Sequence, residues 1–348
     1  MAQSTQLDLK FKDQVTTEPG GETLLRCYAC GTCMSTCLVS RVNPEFNPRR
    51  TLHQVMLGMR GQVLTGSTIW LCSACDACYP RCPQHIHISE LMEAIRNIAA
   101  REGIERPGPV AVVNEPLCSG CGICVKACPY QALTLVDKDP KGGDGVERRV
   151  SQVNKQLCMN CGICAAACPL SAISVEEYSN EDIAVRMAAD GWFTDQGPVK
   201  PGDPRVLVFN CNWCMRAEAD WQALAGFPPN VRVITIPCSG RVDPQFILLA
   251  LKEGADGVLV VGCDPGDCHY LEGTRLAQGK MHVFENMLKQ IGLDTGLVRF
   301  AQIDTDERGK LPALIERMVA DVKARAAAHA KSGNAGRSLR RHLGEKHD

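Results

Sequence analysis

Aromatic residues make up only 5% of this 348-residue chain, too few to fill a conventional large core with rings. No apolar run approaches the roughly 18 residues of a bilayer-spanning helix, so the pattern predicts no membrane span. A formal charge of -1 supplies no excess of positive charge to draw the chain to nucleic acid or to an anionic membrane. The opening MAQSTQLDLK lacks the basic and apolar pattern of an export signal, which points to a reducing cytoplasm and argues against a disulfide framework. No G-x-G-x-x-G fingerprint opens the C-terminal strand pattern, so nothing there marks a flavin or nucleotide held by this chain.

What the chain has instead is cysteine, 21 residues of it. Sixteen fall in four copies of C-x2-C-x2-C-x3-C, at Cys27/Cys30/Cys33/Cys37, Cys72/Cys75/Cys78/Cys82, Cys118/Cys121/Cys124/Cys128 and Cys158/Cys161/Cys164/Cys168. In this spacing three close thiolates hold three irons of a [4Fe-4S] cube, and the fourth cysteine ligates the cube of a partner run. Zinc usually takes two short pairs of ligands and has no use for a further cysteine three residues on. Crossing the fourth cysteines predicts the sets Cys27/Cys30/Cys33/Cys82, Cys37/Cys72/Cys75/Cys78, Cys118/Cys121/Cys124/Cys168 and Cys128/Cys158/Cys161/Cys164. Pro83, Pro129 and Pro169 follow their fourth cysteines, whereas Leu38 follows Cys37, making the first run the least standard. Gly31, Gly122 and Gly162 follow second cysteines, where a missing side chain lets backbone N–H groups approach sulfur. Asp76 takes that place in the second run, with solvent or the cluster as alternative surroundings.

Length and punctuation predict an α+β multidomain chain. Residues 1–105 form a helical two-cluster domain, with a helix from Arg50 to about Met59 burying Leu52, Val55, Met56 and Met59. A second helix places Leu91, Ile95 and Ile98 inward and Glu90, Glu93, Arg96 and Arg101 mostly outward. Residues 106–180 are an internal repeat, since PLCSGCGICVKACPYQALTLV returns as QLCMNCGICAAACPLSAISVE. Each copy reads as strand, cluster loop, short helix and strand, giving a ferredoxin-like two-cluster domain. The polar DKDPKGGDGVE between the copies reads as an exposed hairpin. A linker is expected over 181–202.

Residues 203–326 change grammar. RVLVFN, RVITIP, GVLVVG and LVRFAQ alternate with helical stretches near 215–225, 244–253, 274–291 and 306–326, which predicts a small doubly wound parallel α/β domain. Its functional edge lies at the carboxyl ends of the strands. Cys211, Cys214, Cys238, Cys263 and Cys268 all fall there. Five thiols exceed the four ligand places of a [2Fe-2S] cluster, so either one is spare or the geometry is unusual. Cys214 is the one set aside, because Cys211 sits directly at the strand end. His269 would need a second histidine to serve a Rieske-type centre, and a supporting or surface role is the better reading. Trp213 reads as packing that keeps water off the site. Residues 327–348 read as a basic solvated tail.

YACGTCMSTC and WLCSACDACYPRCP, within about 20–105, resemble the small iron–sulfur subunit of soluble heterodisulfide reductase. Residues of about 106–179 are similar to a two-cluster bacterial ferredoxin. CNWC, Pro237-Cys238 and GCDPGDCHY, within about 203–326, resemble the delta-type subunit of viologen-reducing [NiFe] hydrogenases. The resemblance implies four [4Fe-4S] clusters and one [2Fe-2S] cluster. It further implies an electron-transfer subunit of a heterodisulfide-reductase-like complex that bifurcates electrons at a flavin, with FAD on a partner flavoprotein. Catalysis then falls to an iron–sulfur reductase, a hydrogenase or a formate dehydrogenase. The alternative is an iron–sulfur reductase acting on a disulfide or other substrate at its own C-terminal edge, and the choice between relay and enzyme stays open at this level.

Overall fold

The computed structural model describes residues 7–331 apart from 38, 41–42, 44, 139–147, 195, 215–225 and 304–309. The body of the expected hairpin between the repeats, the helix near 215–225 and the tail beyond 331 lie outside the described residues. The chain divides into two compact units. The first holds residues up to 110 together with 130–134 and 153–159; the second holds 111–129, 135–152 and 160 onward. The division therefore cuts through the repeat, where the sequence places one continuous ferredoxin-like segment.

The first unit is helical: α1 Phe11–Thr17, α2 Thr32–Thr36, α3 Pro48–Met56, α4 Arg60–Thr65, α5 Thr68–Leu71 and α6 Ile88–Arg101. The Asn47 side chain accepts from Arg50 N and Pro48 occupies the first turn, which starts α3 two residues before the expected Arg50. Leu52 and Val55 are fully buried, as the periodicity requires, while Met56 and Met59 are half-buried. On α6 the inward row of Leu91, Ile95 and Ile98 is fully buried. Arg96 corrects the expected outward face. It is only 5% exposed, and it donates from Nε to Ile69 O at 2.7 Å and from Nη2 to Cys72 O at 2.6 Å. A guanidinium can satisfy carbonyls on either side of its plane, so its hydrogen bonds override the polar label that a helical wheel assigns to it.

The repeat that the division cuts comprises β1 Ala111–Val113, α7 Ile123–Ala127, β2 Leu133–Lys138, β3 Arg148–Val153, α8 Ile163–Ala167 and β4 Ile173–Val175. β1 pairs antiparallel with β4, and β2 pairs with β3. Next comes α9, Asn180–Ala188, inside the segment expected to be a linker. Ser179 accepts from Asp182 N while the Asp182 carboxylate accepts from Ser179 N, and Ile183, Met187 and Trp192 join the core of the following sheet. The signal was a capping box followed by apolar residues at four-residue spacing. Ser179→Ala removes one half of that box and is expected to cost about 1 kcal/mol, read as a lower denaturant midpoint with unchanged slope.

β5 Val206–Cys211, β6 Val231–Ile236, β7 Gly257–Cys263 and β8 Val298–Ile303 form a parallel sheet in the order β6-β5-β7-β8. β5 and β7 are buried along their whole length, as central strands covered on both faces must be. On one face Leu207, Phe209, Val258 and Val260 pack with residues of α10 Pro244–Glu253 and α11 Gly273–Gln290. On the other, Val206, Val208, Leu259 and Val261 pack with α12 Lys310–Lys331. Helix α12 runs four residues past the point where the tail was expected to begin. The predicted small doubly wound domain is thus the observed one.

Candidate metal centres

Each cysteine run is wrapped by the same irregular backbone. The residues just before and just after the second cysteine are left-handed in all four: Ala29 and Gly31, Ala74 and Asp76, Gly120 and Gly122, Asn160 and Gly162. For alanine this conformation costs roughly 1–2 kcal/mol, so something held by the loop must offset it. Glycine therefore serves conformation as well as access to sulfur. Asp76 takes the same conformation with φ +54°, and its carboxylate accepts from Ser89 Oγ. Three residues after the fourth cysteine, His85, Gln131 and Ser171 repeat a left-handed turn. Ser40, the matching position of the first run, is helical.

These turns bring the thiols together. Cys27, Cys30, Cys33 and Cys82 line one hollow. Cys118, Cys121, Cys124 and Cys168 line another. Burial, then the charges of Cys72, Cys75, Cys37 and Cys33, pushes the Cys78 thiol up, and Cys37 is a neighbour of Cys72 and Cys75 as well, which groups it with the second run. Burial likewise raises Cys72 and Cys33 to about 11. Such thiols keep their protons until a metal displaces them, so loading releases protons. The remaining set, Cys128 with Cys158, Cys161 and Cys164, is divided between the two units and rests on the sequence pattern. Backbone N–H groups reach sulfur where the repeat needs them: Ser151 N lies 3.4 Å from Cys118 Sγ and Ala172 N 3.2 Å from Cys168 Sγ. Four convergent thiols per hollow and backbone donors aimed at sulfur fit iron–sulfur cubes. Cys30 and Cys121 are the exposed members of their sets.

At the sheet's carboxyl edge the five remaining thiols are all buried, and they fall into three and two. Cys211, Cys214 and Cys263 have sulfurs within 4.8 Å of one another, with Cys263 Sγ 3.8 Å from Cys211 Sγ and 3.7 Å from Cys214 Sγ. Cys214, the thiol expected to stand aside, is part of this trio, because a 3-10 turn over Asn212–Cys214 folds it back over β7. Hydrogen bonds from Cys214 and Cys263 hold Cys211 well below the usual thiol range. Cys238 and Cys268 form the second group. A hydrogen bond from Cys238 holds Cys268 down to about 6 against the effect of burial, leaving a thiolate, which is the ligand form. Gly240 N lies 3.3 Å from Cys238 Sγ, and Thr274 N, in the first turn of α11, lies 3.4 Å from Cys268 Sγ. An 18-residue helix thus directs the positive end of its dipole at that sulfur.

His269 is 1% exposed and stacks on Trp213 with ring centroids 3.4 Å apart. The pair covers the site beside Tyr270, which bears out packing for Trp213 and places His269 among the supports, away from the surface. Arg96, Arg241, Gly240 and Gly273 are site residues that sequence reasoning passed over. The signal for Arg241 was its place in CSGRVDP, a cation three residues after a candidate ligand.

The family model of the methyl-viologen-reducing hydrogenase delta subunit matches residues 206–324, and models of 4Fe-4S dicluster domains match 117–172 and 23–86. The chain is 38% identical over 124 residues to the vhc iron-sulfur subunit of the F420-non-reducing hydrogenase of Methanococcus voltae, covering 35% of this chain and 86% of that protein. It is 40% identical over 215 residues to one subunit of the Ferredoxin:CoB-CoM heterodisulfide reductase of Methanosarcina mazei, covering 61% of this chain and 25% of that protein. It is 29% identical over 117 residues to one subunit of the H(2):CoB-CoM heterodisulfide,ferredoxin reductase of Methanothermobacter marburgensis, covering 34% of this chain and 62% of that protein. The chain spans a quarter of the length of the Methanosarcina mazei relative it matches. Among the described residues no helix is long and apolar enough to cross a membrane.

Proposed function

Because this chain belongs to the family of delta-type iron–sulfur subunits of hydrogenases, joined here to two 4Fe-4S dicluster domains, we propose that it relays electrons within a heterodisulfide-reductase-like complex. It carries four [4Fe-4S] clusters on the crossed cysteine sets and one [2Fe-2S] cluster at the sheet edge. A flavoprotein subunit holding FAD stands at one end of the relay, and a catalytic iron–sulfur reductase, hydrogenase or formate dehydrogenase stands at the other. The complex is cytoplasmic and splits electron pairs at the partner's flavin. Three functional segments, 1–105, 106–180 and 203–326, share this work, and α9 belongs with the last of them.

The observation that carries the reading is the gathering of Cys82 with Cys27/Cys30/Cys33, and of Cys168 with Cys118/Cys121/Cys124, round separate hollows. When bound, such clusters exchange single electrons at potentials set by charge, hydrogen bonds and exposure. The chain's own residues supply those settings. Trp213, His269 and Tyr270 exclude water at the sheet edge, Ser151 N and Ala172 N donate to sulfur, and Arg96 places a cation beside Cys72. Exposed Cys30 and Cys121 put two sets near the surface, where a partner's redox centre can approach.

The five C-terminal thiols are all buried, which counts against the reading as a reductase that attacks a disulfide with a spare thiol. Anaerobically loaded protein is expected to hold about 16 irons in cubes and about two more in a [2Fe-2S] centre, by iron assay and EPR. It is expected to show no disulfide reduction alone, yet to accept electrons from the flavoprotein partner. Eight irons or fewer in fully loaded chain, or sustained turnover without a partner, sinks the proposal.

A further inference from the structure

Arg241 lies in the loop between β6 and α10 and is 0% exposed. Its described hydrogen bonds go to neutral oxygens: Nε and Nη2 to Tyr178 O at 3.1 and 2.9 Å, and Nη2 to Asn180 Oδ1 at 2.7 Å. Nη1 is buried with no hydrogen-bond partner among the described residues, and the guanidinium stands 5.0 Å from the centroid of the Phe246 ring. Burying a cation without a compensating negative charge is strongly unfavourable. Asp243, which caps α10 by accepting from Gln245 N at 2.8 Å, and Glu181 are its carboxylate neighbours, and neither accepts one of its described hydrogen bonds. Its other ionisable neighbour is the Cys164 thiol. A guanidinium is weakly hydrated and stays charged at neutral pH even when buried.

One glycine brings this cation against the Cys161–Cys164 loop, and two more bring that loop against the sheet edge. A Cβ on Gly162, whose φ is +77°, would lie 2.4 Å from Arg241 Cδ. One on Gly240 would lie 2.8 Å from Ile163 Cγ1, and one on Gly273 would lie 2.1 Å from Cys238 Sγ and 3.8 Å from Ile163 Cδ1. Ile163, between Cys161 and Cys164, therefore packs into a surface of bare backbone beside Cys238. Lys280 fixes the same loop by donating to Gly240 O and Val242 O at 2.7 and 2.8 Å.

We propose that Arg241 is the buried counter-charge of the cluster held on the Cys161–Cys164 loop, and that it raises that cluster's reduction potential where the loop meets Cys238. This rests on the relay reading in one respect, that iron–sulfur clusters occupy these loops. Reduction adds one electron and one negative charge with no bond made and no proton placed. A fixed cation in a dry site favours the more negative state, as it favours any neighbouring anion. Arg241 is a positioning residue that also sets the driving force for passage between the repeat and the sheet edge.

The test is an EPR-monitored potentiometric titration of the full chain, loaded anaerobically. Arg241→Gln is expected to lower the midpoint of one cube by about tenfold in its reduction equilibrium constant, about 59 mV for a one-electron couple, while Arg241→Lys keeps most of the original value. Asn180→Asp leaves Arg241 in place but sets a carboxylate against Nη2, and is expected to shift the same signal the same way. An unchanged midpoint in both Arg241→Gln and Asn180→Asp at full iron content overturns the proposal. So does loss of iron in Arg241→Gln combined with an unchanged midpoint in Asn180→Asp, which would make the residue a structural support only. Absence of cubes from the parent chain overturns the relay reading instead.

Discussion

Cys263→Ser in the loaded chain is expected to lose the C-terminal centre outright: about two irons fewer, no [2Fe-2S] signal, and the cube signals retained. Cys263 is the thiol that links its group, 3.8 Å from Cys211 Sγ and 3.7 Å from Cys214 Sγ, so its loss removes the central sulfur of the trio. A serine hydroxyl is a harder and far less acidic group, poorly matched to iron that thiolates hold. Electron exchange with the proposed flavoprotein partner is then expected to fall to background while the cubes still reduce with dithionite. The sheet keeps its own cores on both faces, so the variant folds and the loss is chemical. Parallel Cys214→Ser and Cys268→Ser variants identify the fifth thiol, as the one whose replacement leaves iron and signal intact. Unchanged iron and EPR in Cys263→Ser would remove this cysteine from the site.

Stripping iron from the whole chain is expected to act unevenly. The first unit should lose its cooperative structure, at a cost on the order of the 5–15 kcal/mol that stabilises a typical domain. Its loops at Cys27 and Cys72 hold Ala29 and Ala74 in left-handed backbone, and its helices α2 and α5 have five and four residues, too short to persist alone. Metal binding in such segments is folding free energy. The parallel sheet has a different support, since β5 and β7 are buried throughout by side chains. Hydrogen exchange read by mass spectrometry should show amides of α3 and α6 unprotected after chelation, and those of β5 and β7 still slow. Persisting protection of α6 in iron-free chain would show that the apolar row of Leu91, Ile95 and Ile98 suffices without clusters.

Much of this molecule is legible along the chain because its signals are local. Ligand spacing, the repeated PLCSGCGIC and QLCMNCGIC blocks, and apolar strands alternating with helical stretches each lie within a few tens of residues. The buried faces of α3 and α6 follow from helical periodicity in the same way. The expected linker failed although its contrary signal was present: Ser179 and Asp182 form a capping box, which the polar, proline- and glycine-rich stretch at 195–204 outweighs on composition alone.

Residues whose roles depend on distant partners were not legible. Arg96 and Arg241 look like surface cations by type, and each is buried because carbonyls from another segment meet its guanidinium. The sequence by itself determined that thiolates would cluster, in which runs, and on which edge of the sheet, since ligand spacing and strand alternation are properties of neighbouring residues. Only the tertiary structure decided that Cys214 joins Cys211 and Cys263 while Cys238 pairs with Cys268, and that Ile163 meets Cys238 across bare glycines. Those groupings follow from strand order and loop packing, which bring together residues far apart in the chain.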